Sequence, residues 1–277
     1  MPQAIQIGPL SLPSGLLLLA FTLIVALLLS NWRKPDGGAD GEGHIYRILI
    51  AGAVSARLGF VLQNHQAYLD APWSILDIRD GGWLAWAGFF GALIYASALL
   101  HRRPSLKKLL LQPLLISSSV WVVGMVLLSV PPREAQHLPD FSTLSMEGQQ
   151  TSLPSYAGKP TVINLWATWC PPCRREMPAF QRVQNEHQDV NIVFLNQGEA
   201  PTEIQQFLVS NKLYLQNVLL DTQSEVGRSL GHRSLPTTLF FSADGRLVSV
   251  RVGEFSYATL TQRIKALKAG QRALVAN

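Results

Sequence analysis

The stretch that decides the fold is NLWATWCPPCRREMP, residues 164–178, which contains both cysteines of the 277-residue chain. An apolar run rich in β-branched residues, TVINLWA, leads into it and predicts a buried strand. Pro171 and Pro172 suit the first turn of a helix, because no helical hydrogen bond needs their missing N–H groups. A helix that begins at Cys170 places Cys173 one turn further along the same side, so the two sulfurs can close a small disulfide ring.

The Cys-x-x-Cys spacing predicts different roles for the two thiols. Cys170 would lie at the helix N-terminus, where unpaired N–H groups and the helix dipole favour the thiolate, which is the attacking form. Cys173 would be more buried and would resolve the mixed disulfide. A purely structural disulfide is the alternative, although so tight a loop constrains little chain. Zinc normally takes four ligands and the sequence has no second cysteine pair, so we expect no metal.

The residues after the cysteine motif alternate between short apolar runs and amphipathic segments. This pattern predicts an α/β sheet that ends in a hairpin, with Asp244-Gly245 in its turn, and a final helix from Tyr257 to about Leu267. The predicted strands are NIVFLNQ, NVLLD and the two arms of TTLFFSADGRLVSVRVG, and further helices are predicted in TEIQQFLVSNKL and near 224–230.

A resemblance follows from these residues. The segment LPDFSTLSMEGQQTSLPSYAGKPTVINLWATWCPPCRREMPAF resembles membrane-tethered thioredoxin-like proteins of the TlpA/ResA type. The resemblance covers most of residues 138–267, and Trp169-Cys170-Pro171-Pro172-Cys173 is a highly specific motif. It implies exchange of thiols and disulfides with protein substrates outside the cytoplasmic membrane, for several family members as reductases in cytochrome c maturation. The redox-active disulfide Cys170–Cys173 would need no cofactor.

The same resemblance implies a second part of the site, in the sequence Leu235-Pro236-Thr237-Thr238. Pro236 would face the cysteines as a cis proline, and its missing N–H would remove a donor near the sulfurs. An ordinary trans proline that opens a strand is the alternative. The residues predicted to contact the substrate are Trp169, Pro171, Pro172, Leu235 and Thr237.

Two carboxylates also match the family. Glu176, three residues beyond Cys173, would carry the proton of the resolving thiol. The alternative is a solvated helix carboxylate, paired with a neighbouring arginine. Asn164 stands where thioredoxin has a buried Asp, and it cannot titrate, which favours a proton role for Glu176. Glu199 is equally well explained as an ordinary loop carboxylate.

The first 130 residues are far more apolar than the rest and contain four stretches that predict membrane-spanning helices. They run roughly over residues 10–30, 45–62, 83–100 and 109–130. Basic residues mark the first and third loops, at Arg33, Lys34, Arg47, Arg102, Arg103, Lys107 and Lys108. Because positive residues mark the cytoplasmic side, we expect a multi-pass protein of the bacterial cytoplasmic (inner) membrane, with its N-terminus and its C-terminal domain in the periplasm. A cleaved signal peptide is the alternative for the first stretch.

Residues 55–94 resemble the N-terminal part of prolipoprotein diacylglyceryl transferase. The matching features are Ala56-Arg57-Leu58-Gly59, Gly81-Gly82, Gly88 and Gly91. That family has a His in a His-Gly-Gly motif where this sequence has Trp86, and an indole cannot exchange a proton as imidazole does. Arg57 lies in an apolar stretch, where a charge costs about 2.5–3.5 kcal/mol. It would therefore bind a lipid headgroup in a polar cavity, or snorkel to the interface.

These features predict an α-helical membrane domain of about four transmembrane helices (1–130), a linker (131–137) and an α/β thioredoxin-like domain (138–277). We expect a thiol:disulfide oxidoreductase that acts as a disulfide reductase, although the residues leave the direction open. Its partners would be protein substrates, the phospholipid bilayer and a separate membrane protein that donates electrons, because the membrane half has no cysteine. Nucleic-acid binding is excluded, because the basic residues cluster beside apolar segments. A lipid-binding or lipoprotein-modifying membrane protein with an accessory redox domain is the alternative.

Overall fold

A computed structural model describes residues 4–7, 10–32, 41–69, 72–129 and 136–275. The chain divides into two compact units, one of residues 1–5, 12–76 and 82–132, the other of residues 6–11, 77–81 and 133–277. Residues 131–135 of the predicted linker lie outside the described residues, as do Arg33 and Lys34 of the predicted first loop. His137, which the sequence placed at the end of the linker, forms a β-bridge with Arg246 and so belongs to the second unit.

The first unit is largely helical, and each of the four apolar stretches forms a helix. Its elements are β1 (Ala4–Ile7), β2 (Leu10–Pro13), α1 (Ser14–Trp32), α2 (Gly41–Gln63), α3 (His65–Tyr68), α4 (Ala85–Arg102) and α5 (Lys107–Ser129). The first helix starts later than predicted, at Ser14, because residues 10–13 are a strand. Within the described residues, two helices are long and apolar enough to cross a membrane, Glu42–Gln63 and Pro104–Leu128, and Leu17–Trp32 is a shorter apolar helix.

Small residues explain how α2 and α4 approach each other. A Cβ added at Gly91 would lie 2.1 Å from Ser55 Oγ, and one at Gly88 would lie 2.9 Å from Ala56 Cβ. A Cβ at Gly59 would likewise lie 2.6 Å from Ala87 Cβ. Close backbone contact through glycine is a common packing mode of helices in lipid. Gly59, Gly88 and Gly91, three of the glycines that carry the diacylglyceryl transferase resemblance, therefore have a packing role in this chain.

The second unit is built on a five-stranded mixed sheet in the order β7-β6-β5-β8-β9. β6 is parallel to β5 and β7, whereas β8 is antiparallel to β5 and β9. A separate hairpin of β3 and β4 precedes the sheet. The elements are β3 (Ser142–Leu144), β4 (Gln150–Ser152), β5 (Thr161–Trp166), α6 (Pro171–Glu186), β6 (Asn191–Gln197), α7 (Pro201–Ser210), β7 (Val218–Asp221), α8 (Glu225–Ser229), β8 (Thr237–Phe241), β9 (Leu247–Val252) and α9 (Tyr257–Val275).

The central strand β5 is buried along its whole length and divides the core into two layers. Because successive side chains of a strand point to opposite faces, Val162, Asn164 and Trp166 share one face. Val162 and Trp166 pack there with Phe180 of α6, and residues from α7 and α9 complete this layer. Full burial of each large apolar side chain stabilises the fold by roughly 1.5–3 kcal/mol. Asn164 is thus a polar group set into an apolar layer, directly below α6.

Candidate active site

The two cysteines form a disulfide at the N-terminus of α6, with an S–S distance of 2.08 Å. Cys170 is the N-cap residue, and its Sγ accepts a hydrogen bond from the Cys173 N–H at 3.3 Å. Cys170 is 3% exposed and Cys173 is completely buried. Prolines at the first helical positions leave the N–H of Cys173 to point at the Cys170 sulfur. This is an environment in which a helix terminus stabilises a thiolate after reduction.

The pairing of β8 with β5 brings Pro236 to the end of the sheet at which the cysteines lie. Thr237, the first residue of β8, lies opposite Leu165 near the end of β5 that leads to the cysteines. The preceding residue, Pro236, therefore lies beyond that strand end. The Leu235–Pro236 peptide bond is cis, which confirms the prediction from the sequence. Leu235 packs against the core layer that contains both cysteines.

Glu176 lies one helical turn beyond Cys173 and is 1% exposed. Its Oε1 accepts a hydrogen bond from Asn164 Nδ2 at 2.8 Å, and its Oε2 accepts one from the Phe255 N–H at 2.9 Å. Burial raises the pKa of this carboxyl to about 8, although both hydrogen bonds lower it. The alternative of a solvated carboxylate paired with a neighbouring arginine is therefore wrong, and Arg175 instead contacts Glu254.

The residues predicted to dock the substrate differ in exposure. Trp169 is 67% exposed and Pro171 is also exposed, whereas Pro172 and Leu235 are half-buried. Thr237 is fully buried, and its hydroxyl donates to the Ser234 carbonyl at 2.6 Å. The Thr237 side chain thus lies inside the fold, whereas Trp169, Pro171 and Pro172 are the sequence neighbours of the two cysteines.

Glu199 has a structural role that sequence reasoning did not settle. It is 8% exposed, and its Oε2 accepts hydrogen bonds from the Thr168 N–H at 2.7 Å and from Asn196 Nδ2 at 2.6 Å. The Thr168 hydroxyl donates to its other oxygen. Glu199 therefore holds the loop that connects β5 to Trp169 and Cys170. A groove of about 610 Å³, lined by Trp169 among others, borders this loop.

Arg57, the predicted lipid-binding residue of the first unit, is 7% exposed. Its guanidinium donates to three backbone carbonyls, those of Ser74, Ile75 and Gly82, at 2.9–3.1 Å. The ring of Tyr68 lies 5.8 Å from its Cζ atom. These hydrogen bonds hold Ser74, Ile75 and Gly82, which follow α3, against Arg57 of α2. Contact of Arg57 with a lipid headgroup stays a prediction.

Trp86, which the sequence comparison places at the position of the transferase family's histidine, packs among aromatic rings. Its ring packs edge-on against Phe89 at 6.4 Å and Trp121 at 6.0 Å, and Phe89 stacks on Trp121 at 5.3 Å. The position is thus part of an aromatic cluster between α4 and α5.

A mixed five-stranded sheet, a disulfide at a helix N-terminus and a cis proline at the neighbouring strand end define a thioredoxin-like domain for thiol–disulfide exchange. Comparison with known proteins agrees. The profile of the Redoxin family matches residues 133–264. Thioredoxin-like protein YneN of Bacillus subtilis (strain 168) is 30% identical over 136 residues, which cover 48% of this chain and 79% of that protein. Thiol-disulfide oxidoreductase ResA of the same strain is 30% identical over 140 residues, which cover 50% of this chain and 78% of that protein.

The chain therefore belongs to the Redoxin family and is a thiol–disulfide oxidoreductase of the ResA-related kind. A solved structure described as MTB dsbF in its mixed oxidized and reduced forms also matches, with a TM-score of 0.42 and 30% identity, over 46% of this chain and 95% of that chain. The profile of prolipoprotein diacylglyceryl transferase matches residues 2–126, in agreement with the resemblance of the helical half.

Proposed function

We propose that the protein is a multi-pass protein of the bacterial cytoplasmic membrane whose redox domain reduces disulfides of periplasmic proteins. The observation that carries the reaction is the Cys170–Cys173 pair at the start of α6, with buried Glu176 one turn further. The redox centre is the disulfide itself, so the exchange needs no bound cofactor.

In the reducing direction, the Cys170 thiolate attacks one sulfur of a substrate disulfide. A Cys170–substrate disulfide forms, and the other substrate sulfur leaves as a thiolate. Glu176, in its ionised form, takes the proton of the Cys173 thiol. The Cys173 thiolate then attacks the Cys170 sulfur, which reforms the intramolecular disulfide and releases the second substrate thiolate. The substrate gains two electrons, and the cysteine pair loses two.

The raised pKa of Glu176 suits this proton transfer. An ordinary thiol has a pKa of about 8.5, and proton transfer is most effective when donor and acceptor have similar pKa values near the working pH. A carboxyl with a pKa of about 8 meets that condition for Cys173. A solvated carboxylate, at about 4.3, would be a poor acceptor for a thiol proton.

The reaction is tested with the full chain in detergent. Cys170→Ser should abolish reduction of insulin disulfides, and Cys173→Ser should trap a mixed disulfide through Cys170. If Cys170→Ser reduces insulin as fast as the wild type, the assignment is wrong. The direction is tested by the thiol state of the pair in growing cells. Reduced cysteines at steady state support a reductase, whereas oxidised cysteines refute that direction.

The membrane placement is supported by the two long apolar helices and by the basic residues between α4 and α5, at Arg102, Arg103, Lys107 and Lys108. Four crossings would place both chain ends in the periplasm. Alkaline phosphatase fused after residue 277 should then be active, and an inactive fusion would contradict the topology.

The partners follow from this placement. The described helices of the first unit carry no cysteine, so electrons must reach Cys170 and Cys173 from a separate membrane protein. The substrates would be protein disulfides, in cytochrome c maturation or in repair of periplasmic thiols. Lipoprotein modification is less well supported, because Trp86 packs in an aromatic cluster at the position of the transferase histidine.

A further inference from the structure

The turn between β9 and α9 connects the two halves of the active site. The Gly253 N–H donates to the Pro236 carbonyl at 2.9 Å, and the Phe255 N–H donates to Glu176 Oε2 at 2.9 Å. The residue between these two donors is Glu254. Any shift of this turn would thus move a hydrogen bond at the cis proline and a hydrogen bond at the proton-carrying carboxyl together.

Glu254 is itself held to the catalytic helix. Its Oε2 accepts from Arg175 Nε at 2.8 Å and from Arg175 Nη2 at 2.5 Å. The Glu254 side chain is only 10% exposed, whereas that of Arg175 is 47% exposed. Arg175 immediately precedes Glu176 in α6. The ion pair therefore joins the turn to the helix next to the carboxyl that the turn caps.

We propose that Glu254 is a positioning residue for the exchange reaction. Together with Arg175, Glu254 holds the Phe255 amide on Glu176 and sets the proton equilibrium of the Glu176 carboxyl. The proposal rests on the proposed role of Glu176 as the proton acceptor of Cys173. It gives the arginine and the glutamate opposite effects on the titration of Glu176.

The charges around Glu176 support this assignment. Glu254 raises the pKa of Glu176 by repulsion, and Arg251 of β9 lowers it by attraction, in addition to the larger effect of burial. Arg251 lies over the Phe255 ring at 4.8 Å and donates to the Glu254 carbonyl at 3.2 Å. Asn164 of β5 is neutral and donates to Glu176, and Cys173 precedes Glu176 by about one turn of the same helix.

Other charged residues lie near Glu254 and Arg251. Arg79 Nε lies 3.6 Å from Glu254 Oε1. Asp80 raises the pKa of Arg251 by attraction, and Arg263 lowers it by repulsion. The Phe255 ring also anchors the turn, through edge-on contacts with Phe180 and Phe240 at 6.2 and 5.8 Å. If that ring alone fixed the turn, removal of the ion pair would leave the Phe255 N–H on Glu176, and only the change of charge would shift the titration of Glu176.

The test is the reaction of the reduced full chain, in detergent, with 5,5′-dithiobis(2-nitrobenzoate). Stopped-flow absorbance resolves two releases of thionitrobenzoate, the first from attack by Cys170 and the second from resolution by Cys173. The rate of the second release should rise with pH as Glu176 ionises. Glu176→Gln should remove this inflection, which assigns it to the carboxyl.

Two variants should move the inflection in opposite directions. Arg175→Gln removes the nearer of two arginines that pair with Glu254 and loosens the Phe255 amide, so the inflection should rise by about half a pH unit or more. Glu254→Gln removes the repulsion and retains an oxygen that can accept from Arg175, so the inflection should fall by a similar amount. Arg246→Gln removes the exposed ion pair with Asp244 and should leave the profile unchanged.

The outcomes separate the two proposals. If Glu176→Gln leaves the inflection in place, the proton role of Glu176 is wrong. If Glu176→Gln removes it, but Arg175→Gln and Glu254→Gln leave it unmoved or move it in the same direction, the role of Glu254 is wrong. Opposite shifts of the inflection support the role of Glu254. The pH of the inflection can be measured even for a variant with lower thermal stability.

Discussion

Replacement of Glu176 by Gln should remove a pH dependence of stability that the wild-type protein shows. The pKa of this carboxyl is raised by burial from its ordinary value of 4.5 to about 8. Between these values the unfolded chain is ionised and the folded chain keeps the proton, so stability is full below pH 4.5 and falls as pH rises to about 8. At about 1.4 kcal/mol for each pH unit, the loss reaches about 5 kcal/mol.

The glutamine side chain of the Glu176→Gln variant would have no proton to lose, and the surrounding groups can accommodate an amide. Its amide oxygen can accept from the Phe255 N–H, as the wild-type carboxyl does at 2.9 Å. Asn164 Oδ1 is buried with no hydrogen-bond partner in the described part of the chain, and rotation of the Asn164 amide would turn this oxygen toward the new NH₂ group. The variant should therefore be more stable than the wild type at pH 9 and close to it at pH 5.

Calorimetry of the oxidised full chain in detergent, from pH 5 to pH 9, measures this difference. The melting temperature of the redox unit should fall by about 10 °C or more in the wild type relative to Glu176→Gln. Glu186→Gln, which removes an exposed carboxyl of the same helix, is the matched control and should follow the wild type. Parallel curves for wild type and Glu176→Gln would show that the folded protein does not retain this proton. That result would also refute the proposal that Glu176 accepts the proton of the Cys173 thiol.

Asn164→Leu removes a buried donor to the proton-carrying carboxyl, so resolution of the mixed disulfide should slow and its inflection should move to higher pH, as measured by stopped flow. Glu199→Ala leaves the Thr168 N–H of the loop before Trp169 and the Asn196 Nδ2 of β6 without their acceptor, and denaturant unfolding should show a loss of about 1–3 kcal/mol for each. Gly91→Val forces α2 and α4 apart and should lower the melting temperature of the helical unit without changing the insulin assay; an unchanged temperature would refute the packing role. Arg57→Ala leaves three carbonyls without their donor and should destabilise the same unit, whereas loss of co-purified phospholipid at unchanged stability would favour the headgroup role.

Several features of the active site follow from local sequence. The start of α6 at Pro171 and the placement of Cys170 as its N-cap follow from the proline pair and the preceding apolar strand. The cis state of Pro236 was predicted from the family resemblance, and it is what the structure shows. The alternation of side chains along β5 also places Asn164 on the face of the sheet below α6.

Other features depend on contacts that no local pattern specifies. The pairing of Arg175 with Glu254 and the capping of Glu176 by Phe255 each join residues 79 positions apart. The sequence around Glu176 allowed a solvated carboxylate, because two arginines directly precede it in the chain. Its burial depends on the turn after β9, which is brought over α6 only when the sheet has formed.

The amino-acid sequence alone determined that the two cysteines can close a disulfide ring at a helix start, since their spacing allows it wherever a strand leads into a helix. It also determined the division into an apolar helical half and an α/β half, because the hydrophobic pattern differs so strongly between them. The tertiary structure decided that the Glu176 carboxyl is buried and has a raised pKa. A carboxyl acquires a pKa near that of a thiol only when distant segments exclude water from it, and that exclusion is a property of the assembled fold.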